Sequence, residues 1–591
     1  MSKFNNFIEL KPYYIFLKKY WLFEFLMLML IILGTACSLA MPYVLGKVID
    51  IVIPSSNKDL LIKLILIIIF INLIRSFVGW SSDYLNTWLS GRIITDIKSC
   101  LFSNLLYMPY EFFEKNKTGE IIQVVSDEVD KIQHFLTSSI IRFLNNGFTI
   151  VSLISMLCYL NYKLFFITLI VLPPVIYLNI IISRKVRGYV MDTGIQEGNL
   201  NNFYFERIRN ISTVKLFNTY IAEYESFVGK LRGLFSLYLK NSIMTGIGNN
   251  VSFFLISLSP LLILLTGGFH VMDGIMSIGA LVSFIQYSNR LIAPTNDFLG
   301  LYIDFIKAHE SAKRISPYIN ADFGADLDQN LTNESFAVEK LKCVNLSFRT
   351  SDKLIINNVN FEFTKGSFYG ILGLNGAGKS TLGKLLSQLY KPSSGFIEIN
   401  DNDILDKLNE SIWSKHIVVI SQHSAVFNES IRDNLKYADS NANDEKLWDS
   451  LEKVGLRDYI NSLPLKLSTL IGDGENSANP SGGQLQRLAL ARIFLKSDAQ
   501  VILLDEACSA MDKISIGKIL LNIRTTFPDR IIISITHNLE DTSLFDYLLF
   551  MEEGTLVEYG KPGELLANNG KYAGLFKIQK EKILKIDSLK L

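Results

Sequence analysis

The sequence predicts a two-part fold: an all-α membrane domain of six helices with long intracellular extensions, then an α/β domain of the phosphate-loop type. Three observations carry this. Residues 1 to 310 contain apolar runs long enough to span lipid, while the remainder has the mixed charge and short strand-like segments of a soluble domain. A run of strand character, Phe368 to Leu372, leads into Gly373, Leu374, Asn375, Gly376, Ala377, Gly378, Lys379, Ser380 and Thr381, which matches G-x-x-x-x-G-K-[ST]. At 591 residues the chain is too long for one hydrophobic core.

The apolar runs lie near Trp21 to Ile49, Leu60 to Trp88, Ser138 to Leu160, Leu164 to Ile182, Val251 to Phe269 and Met276 to Leu301. The stretches 92–137 and 183–250 are too polar for lipid yet keep helical periodicity, so the membrane helices should continue well beyond the bilayer on one side. Lys3, Lys11, Lys18 and Lys19 precede the first run, and Arg92, Lys98, Lys115, Lys117, Lys131, Arg184, Lys185, Arg187, Arg207 and Arg209 lie in the long connections. The opposite connections are short and poor in cations, so the positive-inside rule puts both termini and both long connections in the cytoplasm. Residues 10–20 are amphipathic and suit a helix lying in the interface, within an N-terminal segment of residues 1–20. The membrane domain is expected over 21–318, a polar linker over 319–335, the soluble domain over 336–580 and a tail over 581–591. The first run is too long for a cleavable signal peptide and is expected to remain as an anchor.

Ionisable and amide groups within the runs need partners or a water-filled cavity. Arg75 and Asp83, Arg142, Asn145 and Asn146, Asn249 and Asn250, and Gln286, Asn289, Arg290, Asn296 and Asp297 are of this kind. Asp83, Arg290 and Asp297 are the preferred candidates for a substrate cavity; pairing between helices is the competing role. Pro173, Pro174 and Pro260 are expected to kink helices. The five cysteines are scattered without metal-ligand spacing, which argues against a metal or disulfide framework. With 58 Lys and Arg against 57 Asp and Glu, and no basic tail, nucleic acid is not an expected partner.

In the soluble part, the glycines let the backbone wrap phosphate, Lys379 reaches the terminal phosphates, and the Ser380 hydroxyl suits Mg²⁺. The run Val501 to Leu504 ends in Asp505 and Glu506, which places Asp505 beside the metal and Glu506 where it can polarise an attacking water. Between these motifs lies Pro480, Ser481, Gly482, Gly483 and Gln484, followed by a helical run. This resembles the L-S-G-G-Q signature of ATP-binding cassette (ABC) proteins, and the six-run half before it resembles the membrane domain of ABC exporters. The likeness covers nearly the whole chain, with the motifs in the family's order.

The resemblance implies further roles. Gln422 matches the glutamine that contacts Mg²⁺ and senses the membrane domain, Ser509 to Asp512 the loop joining two nucleotide sites across a dimer, and His537 the histidine at the γ-phosphate. Residues 109–121 and 206–215 look like the two coupling segments. Four departures stand out: Thr350 occupies the position of the usual adenine-stacking aromatic, Pro480 replaces the signature leucine, residues 472–479 are about two longer than usual, and Asn538 replaces arginine. By resemblance the chain is a half-transporter that uses ATP and Mg²⁺. Since Ser481, Gly482, Gly483 and Gln484 of one copy would complete the site on another, a homodimer is the simplest assembly and a heterodimer the alternative. The expected activity is ATP-driven export, preferably of a peptide that arrives already processed, across a bacterial cytoplasmic membrane. A lipid or amphiphile flippase, a multidrug exporter and, further off, an importer of metal chelates are the alternatives.

Overall fold

The computed structural model describes residues 11–116, 118–319, 336–350, 353–401, 403–422, 425–472, 474, 477–507, 511–537 and 540–578. Residues 1–10, Lys117, the linker beyond residue 319 and the tail 581–591 lie outside the described residues, as do the side chains of Arg187 and Asn296. Two compact units emerge: Met1–Met108 with Asn116–Asp326, and Pro109–Lys115 with Leu327–Leu591.

The first unit is helical. After a short turn of helix at Tyr14–Lys18 come α1 (Trp21–Lys47), α2 (Lys58–Leu106), α3 (Ile140–Arg209), α4 (Tyr220–Met272), α5 (Ile278–Arg290) and α6 (Ile292–Ile319). Among the described residues, four helical stretches are long and apolar enough to cross a membrane, Trp21–Val52, Lys58–Leu106, Thr118–Phe166 and Tyr220–Met272. Asn57 starts α2 by accepting a hydrogen bond from the Leu60 N–H at 3.0 Å. Within α3 the third and fourth apolar runs are separate helices, because Asn161 is extended (φ −164°, ψ 106°). Its Oδ1 caps the second of them, accepting from Lys163 N at 3.0 Å and Leu164 N at 3.2 Å.

The last apolar run, read as one span over Met276 to Leu301, is divided at Leu291 between α5 and α6. Pro294 gives the reason: it has no N–H to offer the Arg290 carbonyl four residues earlier. The extensions beyond lipid are helical, as α2 runs to Leu106, α3 to Arg209, and α4 starts at Tyr220. There Glu128 is buried and receives hydrogen bonds from Ser311, from Lys131 at 3.0 Å and from Arg314 at 3.0 Å, which tie α6 to the helical segment before α3. Burial pushes its pKa up, but these partners reverse that and hold it below the usual carboxylate range.

The C-terminal end of α1 and the turn after it meet the start of α5 at close range. The Asp50 carboxylate accepts from the Gly279 N–H at 2.7 Å and from the Ser277 hydroxyl, while Ser283 Oγ donates to the Pro42 carbonyl at 2.8 Å. An added Cβ at Gly279 would stand 2.1 Å from the Gly46 carbonyl oxygen, a backbone atom that cannot swing aside.

The second unit is α/β. Its strands are β1 (Lys340–Arg349), β2 (Leu354–Thr364), β3 (Phe368–Gly373), β4 (Ser394–Ile399), β5 (Asp403–Ile404), β6 (Ile417–Ile420), β7 (Leu470–Ile471), β8 (Ser477–Ala478), β9 (Val501–Asp505), β10 (Ile531–Ile535), β11 (Tyr547–Glu552) and β12 (Thr555–Gly560). An antiparallel sheet has the order β2-β1-β4-β5, and the central sheet β12-β11-β3-β10-β9-β6, parallel except at β12. Its middle strands are buried on both faces: Val501 and Leu503 join one apolar cluster, Ile502 and Leu504 the other. That is why β9 reads as an unbroken apolar run. Three helices matter for function: α7 (Lys379–Leu386) after β3, α8 (Gly482–Leu495), and α9 (Lys513–Thr526) after β9.

Gly279→Ala is expected to destabilise the detergent-solubilised protein by about 1–3 kcal/mol through overpacking of α1 on α5. A thermal melt checks it, and an unchanged midpoint would contradict the close approach.

Candidate functional site

Parallel strands end together on one edge of the central sheet, and the candidate residues sit there. The loop from Gly373 leaves β3 and returns as α7, with Gly378 at φ +95° as the residue before the helix. A side chain at Gly378 would be strained by that φ and would also press its Cβ to 2.8 Å from Ile356 Cδ1. Lys379 is 6 % exposed and folds back over its own loop, donating to the Gly373 and Leu374 carbonyls at 2.9 and 3.1 Å. Burial pulls its pKa down, with the charges of Glu506 and Asp505 opposing. A phosphate is the counter-charge this ammonium lacks.

Two strands across, beyond β10, β9 delivers Asp505 and Glu506. Ser380 Oγ donates to Asp505 Oδ1 at 3.0 Å, and burial lifts the Asp505 pKa against the pull of Ser380 and the neighbouring lysines. Glu506 has φ 47°, and its N–H donates to the Ile535 carbonyl of β10 at 3.0 Å. This bend holds its carboxylate between two groups the sequence reading assigned to other partners. Gln422 Nε2 donates to Glu506 Oε2 at 2.9 Å, and His537 Nδ1 lies 3.6 Å from Glu506 Oε1. The Ser380 hydroxyl, the Asp505 carboxylate and the free amide oxygen of Gln422 are hard oxygen donors. That set fits Mg²⁺ rather than a soft metal.

Ser481 is the N-cap of α8: its N–H donates to Gln484 Oε1 at 2.8 Å and its Oγ accepts from Gln484 N at 3.4 Å. A Cβ added at Gly482 would meet no atom within 4 Å, so the first turn presents open backbone. Among the described residues, no hydrogen bond joins 481–484 to 373–381 of the same chain. Helix α8 belongs to a helical layer with Ile431–Lys436 and Asp444–Lys453. Arg492, one turn from its end, donates to the Asn434 carbonyl and the Ala425 carbonyl, each at 2.8 Å, and so ties α8 to the segment that follows Gln422. Asp512 caps α9 through Ser515 N at 2.9 Å and meets Arg487 of α8 at 3.2 Å. Ser509 and Ala510 lie outside the described residues, as does Asn538. The insertion before the signature closes as the two-residue ribbon of β7 and β8, with residues 473, 475 and 476 undescribed.

Thr350 is exposed, and its N–H and hydroxyl donate to the Lys353 carbonyl at 3.0 and 3.3 Å. The aromatic two residues earlier, Phe348, is buried and stacked on Tyr390 at 4.7 Å, so it is not available to a base. The short helix Tyr110–Lys115 groups with the second unit. Its Glu114 accepts from Lys384 Nζ at 2.6 Å and from the Tyr390 hydroxyl. Burial raises the Glu114 pKa, and these two donors more than reverse it. Lys384 lies on α7, the helix that begins with Lys379. Sequence reading missed this contact; its one signal was a lysine on the helix of the phosphate loop.

In the first unit a cavity of about 570 Å³ is lined by polar residues of α1, α2 and α3, Asp83 among them. Arg290 and Asp297 are not in its lining. Arg290 donates to Ser38 Oγ at 2.9 Å and Asp297 accepts from Asn146 at 3.3 Å, so both are held in contacts between helices.

Residues 25–295 match the ABC transporter transmembrane region and residues 356–509 the ABC transporter ATP-binding family. An ATP-dependent lipid A-core flippase of Syntrophus aciditrophicus is 25 % identical over 563 residues, covering 94 % of this chain and 92 % of that protein. The lactococcin-G-processing and transport ATP-binding protein LagD of Lactococcus lactis is 28 % identical over 543 residues, covering 90 % and 75 %. The structure of a bacterial Atm1-family ABC exporter with ATP bound superposes with a TM-score of 0.81 at 23 % identity, covering 94 % of this chain and 97 % of that one. The chain is a multi-pass membrane ATPase coupled to transport, and belongs to the ABC transporters of the exporter type.

Proposed function

We propose that two copies of this chain form an ATP-driven exporter of a peptide across the cytoplasmic membrane, with both termini in the cytoplasm. The observation that carries the assembly is that, among the described residues, no hydrogen bond joins Ser481 to Gln484 to the phosphate loop of the same chain, while a Cβ added at Gly482 would meet no atom within 4 Å. An isologous dimer completes two sites at once. The peptide reading draws on the relation to LagD and on the Asn-, Lys- and Ile-rich composition, which has the look of a low-GC bacterium. Other relatives are named for lipid A-core flipping and multidrug export, so amphiphile export is the second reading.

In this scheme Lys379 and the loop N–H groups hold the phosphates, and the backbone of Gly482 and Gly483 from the second copy stabilises charge on the transferring phosphoryl. Mg²⁺ would be held by Ser380, Asp505 and Gln422 and would supply charge neutralisation at the phosphates. Glu506 orients and deprotonates the attacking water, and His537 and Gln422 fix its carboxylate. ATP binding between the cassettes favours the outward-open membrane domain; hydrolysis restores the inward-open one. Glu114, gripped by Lys384 and Tyr390, is the proposed link between the phosphate-loop helix and the membrane domain.

Glu506→Gln should bind ATP yet hydrolyse it at least about a hundredfold more slowly, the usual contribution of a general base; rapid turnover in a phosphate-release assay would remove Glu506 from that role. Lys379→Ala and Gly482→Asp should each be inactive alone. Co-expressed, they should recover about a quarter of wild-type activity, since random pairing leaves one intact site in half of the dimers. No recovery would contradict shared sites. Glu114→Ala should lower cargo moved per ATP several-fold, because it strips a charge-assisted contact from Lys384; an unchanged transport-to-hydrolysis ratio in proteoliposomes would rule out the link.

A further inference from the structure

Two charges on α2 have no answer within the described structure. Arg75 and Asp83 both line the cavity of about 570 Å³, together with Ser38, Asn86, Arg142 and Asn145. The neighbouring groups have hydrogen-bond partners: Arg142 donates to Asp304 at 2.7 Å, Arg290 to Ser38 and Asn146 to Asp297. Among the described residues, the side chains of Arg75 and Asp83 make no hydrogen bond or ion pair. Arg290 feels the like charge of Arg75. A guanidinium and a carboxylate at membrane depth each cost several kcal/mol when nothing answers them.

The spacing says what could answer both. Eight residues of helix separate them, just over two turns, so they share one side of α2 and stand about 12 Å apart along its axis. That is too far for the i,i+4 pairing that would cancel them internally. We propose that Arg75 and Asp83 are a two-point recognition site for a cargo that carries an anionic group and a cationic group about 12 Å apart. An extended peptide covers that distance in roughly four residues, so a short stretch with a free carboxylate at one end and an amine at the other satisfies it. The cavity is of the size that encloses a small ligand. This rests on the reading of the first unit as the membrane domain through which cargo passes. The competing use is an ion pair between copies, Arg75 of one with Asp83 of the other, as two-fold symmetry allows.

The test uses the full chain in lipid nanodiscs and the concentration of probe that half-maximally stimulates ATP hydrolysis. The probes are an apolar tetrapeptide with free termini, its N-acetyl form, its C-amide form, and a zwitterionic amphiphile with similarly spaced charges. Wild type should prefer the free-terminated peptide over each blocked form by about tenfold, the size of one charge-assisted hydrogen bond. Arg75→Gln should abolish the preference for the free carboxylate and keep that for the free amine; Asp83→Asn should do the converse. Arg75→Lys and Asp83→Glu should retain both. Each ratio is internal to one variant, so a changed basal rate cancels. If the peptides are inert but the amphiphile stimulates, with a half-maximal concentration that both Arg75→Gln and Asp83→Asn raise and the conservative variants restore, the peptide reading fails and the recognition site stands. Equal responses to free and blocked forms in wild type, ratios unmoved by the variants as an ion pair between copies requires, or no response to any probe would overturn it.

Discussion

The nucleotide-binding unit depends on two charges held partly out of water on one sheet edge. Lys379 rests on carbonyls of its own loop, and Asp505 is lifted by burial although Ser380 donates to it. Among the described residues neither group makes an ion pair, although each feels the other's charge. A ligand that brought phosphate and a divalent cation together would answer both at once, as the proposed use of ATP with Mg²⁺ requires. Glu506 is tied to the same edge by its backbone bond to Ile535, the last residue of β10, two residues before His537.

From that edge the fold distributes connections outward. The helix that starts at Lys379 ends near Lys384, whose ammonium grips Glu114. The segment after Gln422 is pinned to α8 by Arg492, and α8 meets α9 through Arg487 and Asp512. Burial lowers the Arg492 pKa, and its carbonyl partners hold it in place. The phosphate-loop helix, the segment after Gln422 and α8 are thus each held by charge-assisted contacts as well as by apolar packing.

Local chemistry was legible in the sequence; convergence was not. The phosphate loop and the β9 carboxylates are contiguous motifs whose spacing alone implies their geometry, and Ser481 with Gln484 is a capping box visible at three-residue spacing. The division at Leu291 was also legible, since Pro294 removes the Arg290 partner, but the apolar run around it hid the break. Arg290 and Asp297 illustrate what was not: their contacts come from Ser38 and Asn146, more than a hundred residues away. The grip of Lys384 on Glu114 joins residues 270 apart, and no periodicity reports such a pair. Polar residues in a span can be listed from sequence; which of them lack partners requires the neighbours.

The claim that each nucleotide site is shared between two copies is tested most directly by cross-linking. In a cysteine-free background carrying Glu506→Gln, Asn375→Cys and Ser481→Cys would be introduced into the full-length chain and oxidised with and without ATP and Mg²⁺. A disulfide-linked dimer that forms only with nucleotide is the predicted result. A disulfide within one chain, or no cross-link under saturating ATP, would contradict the shared site.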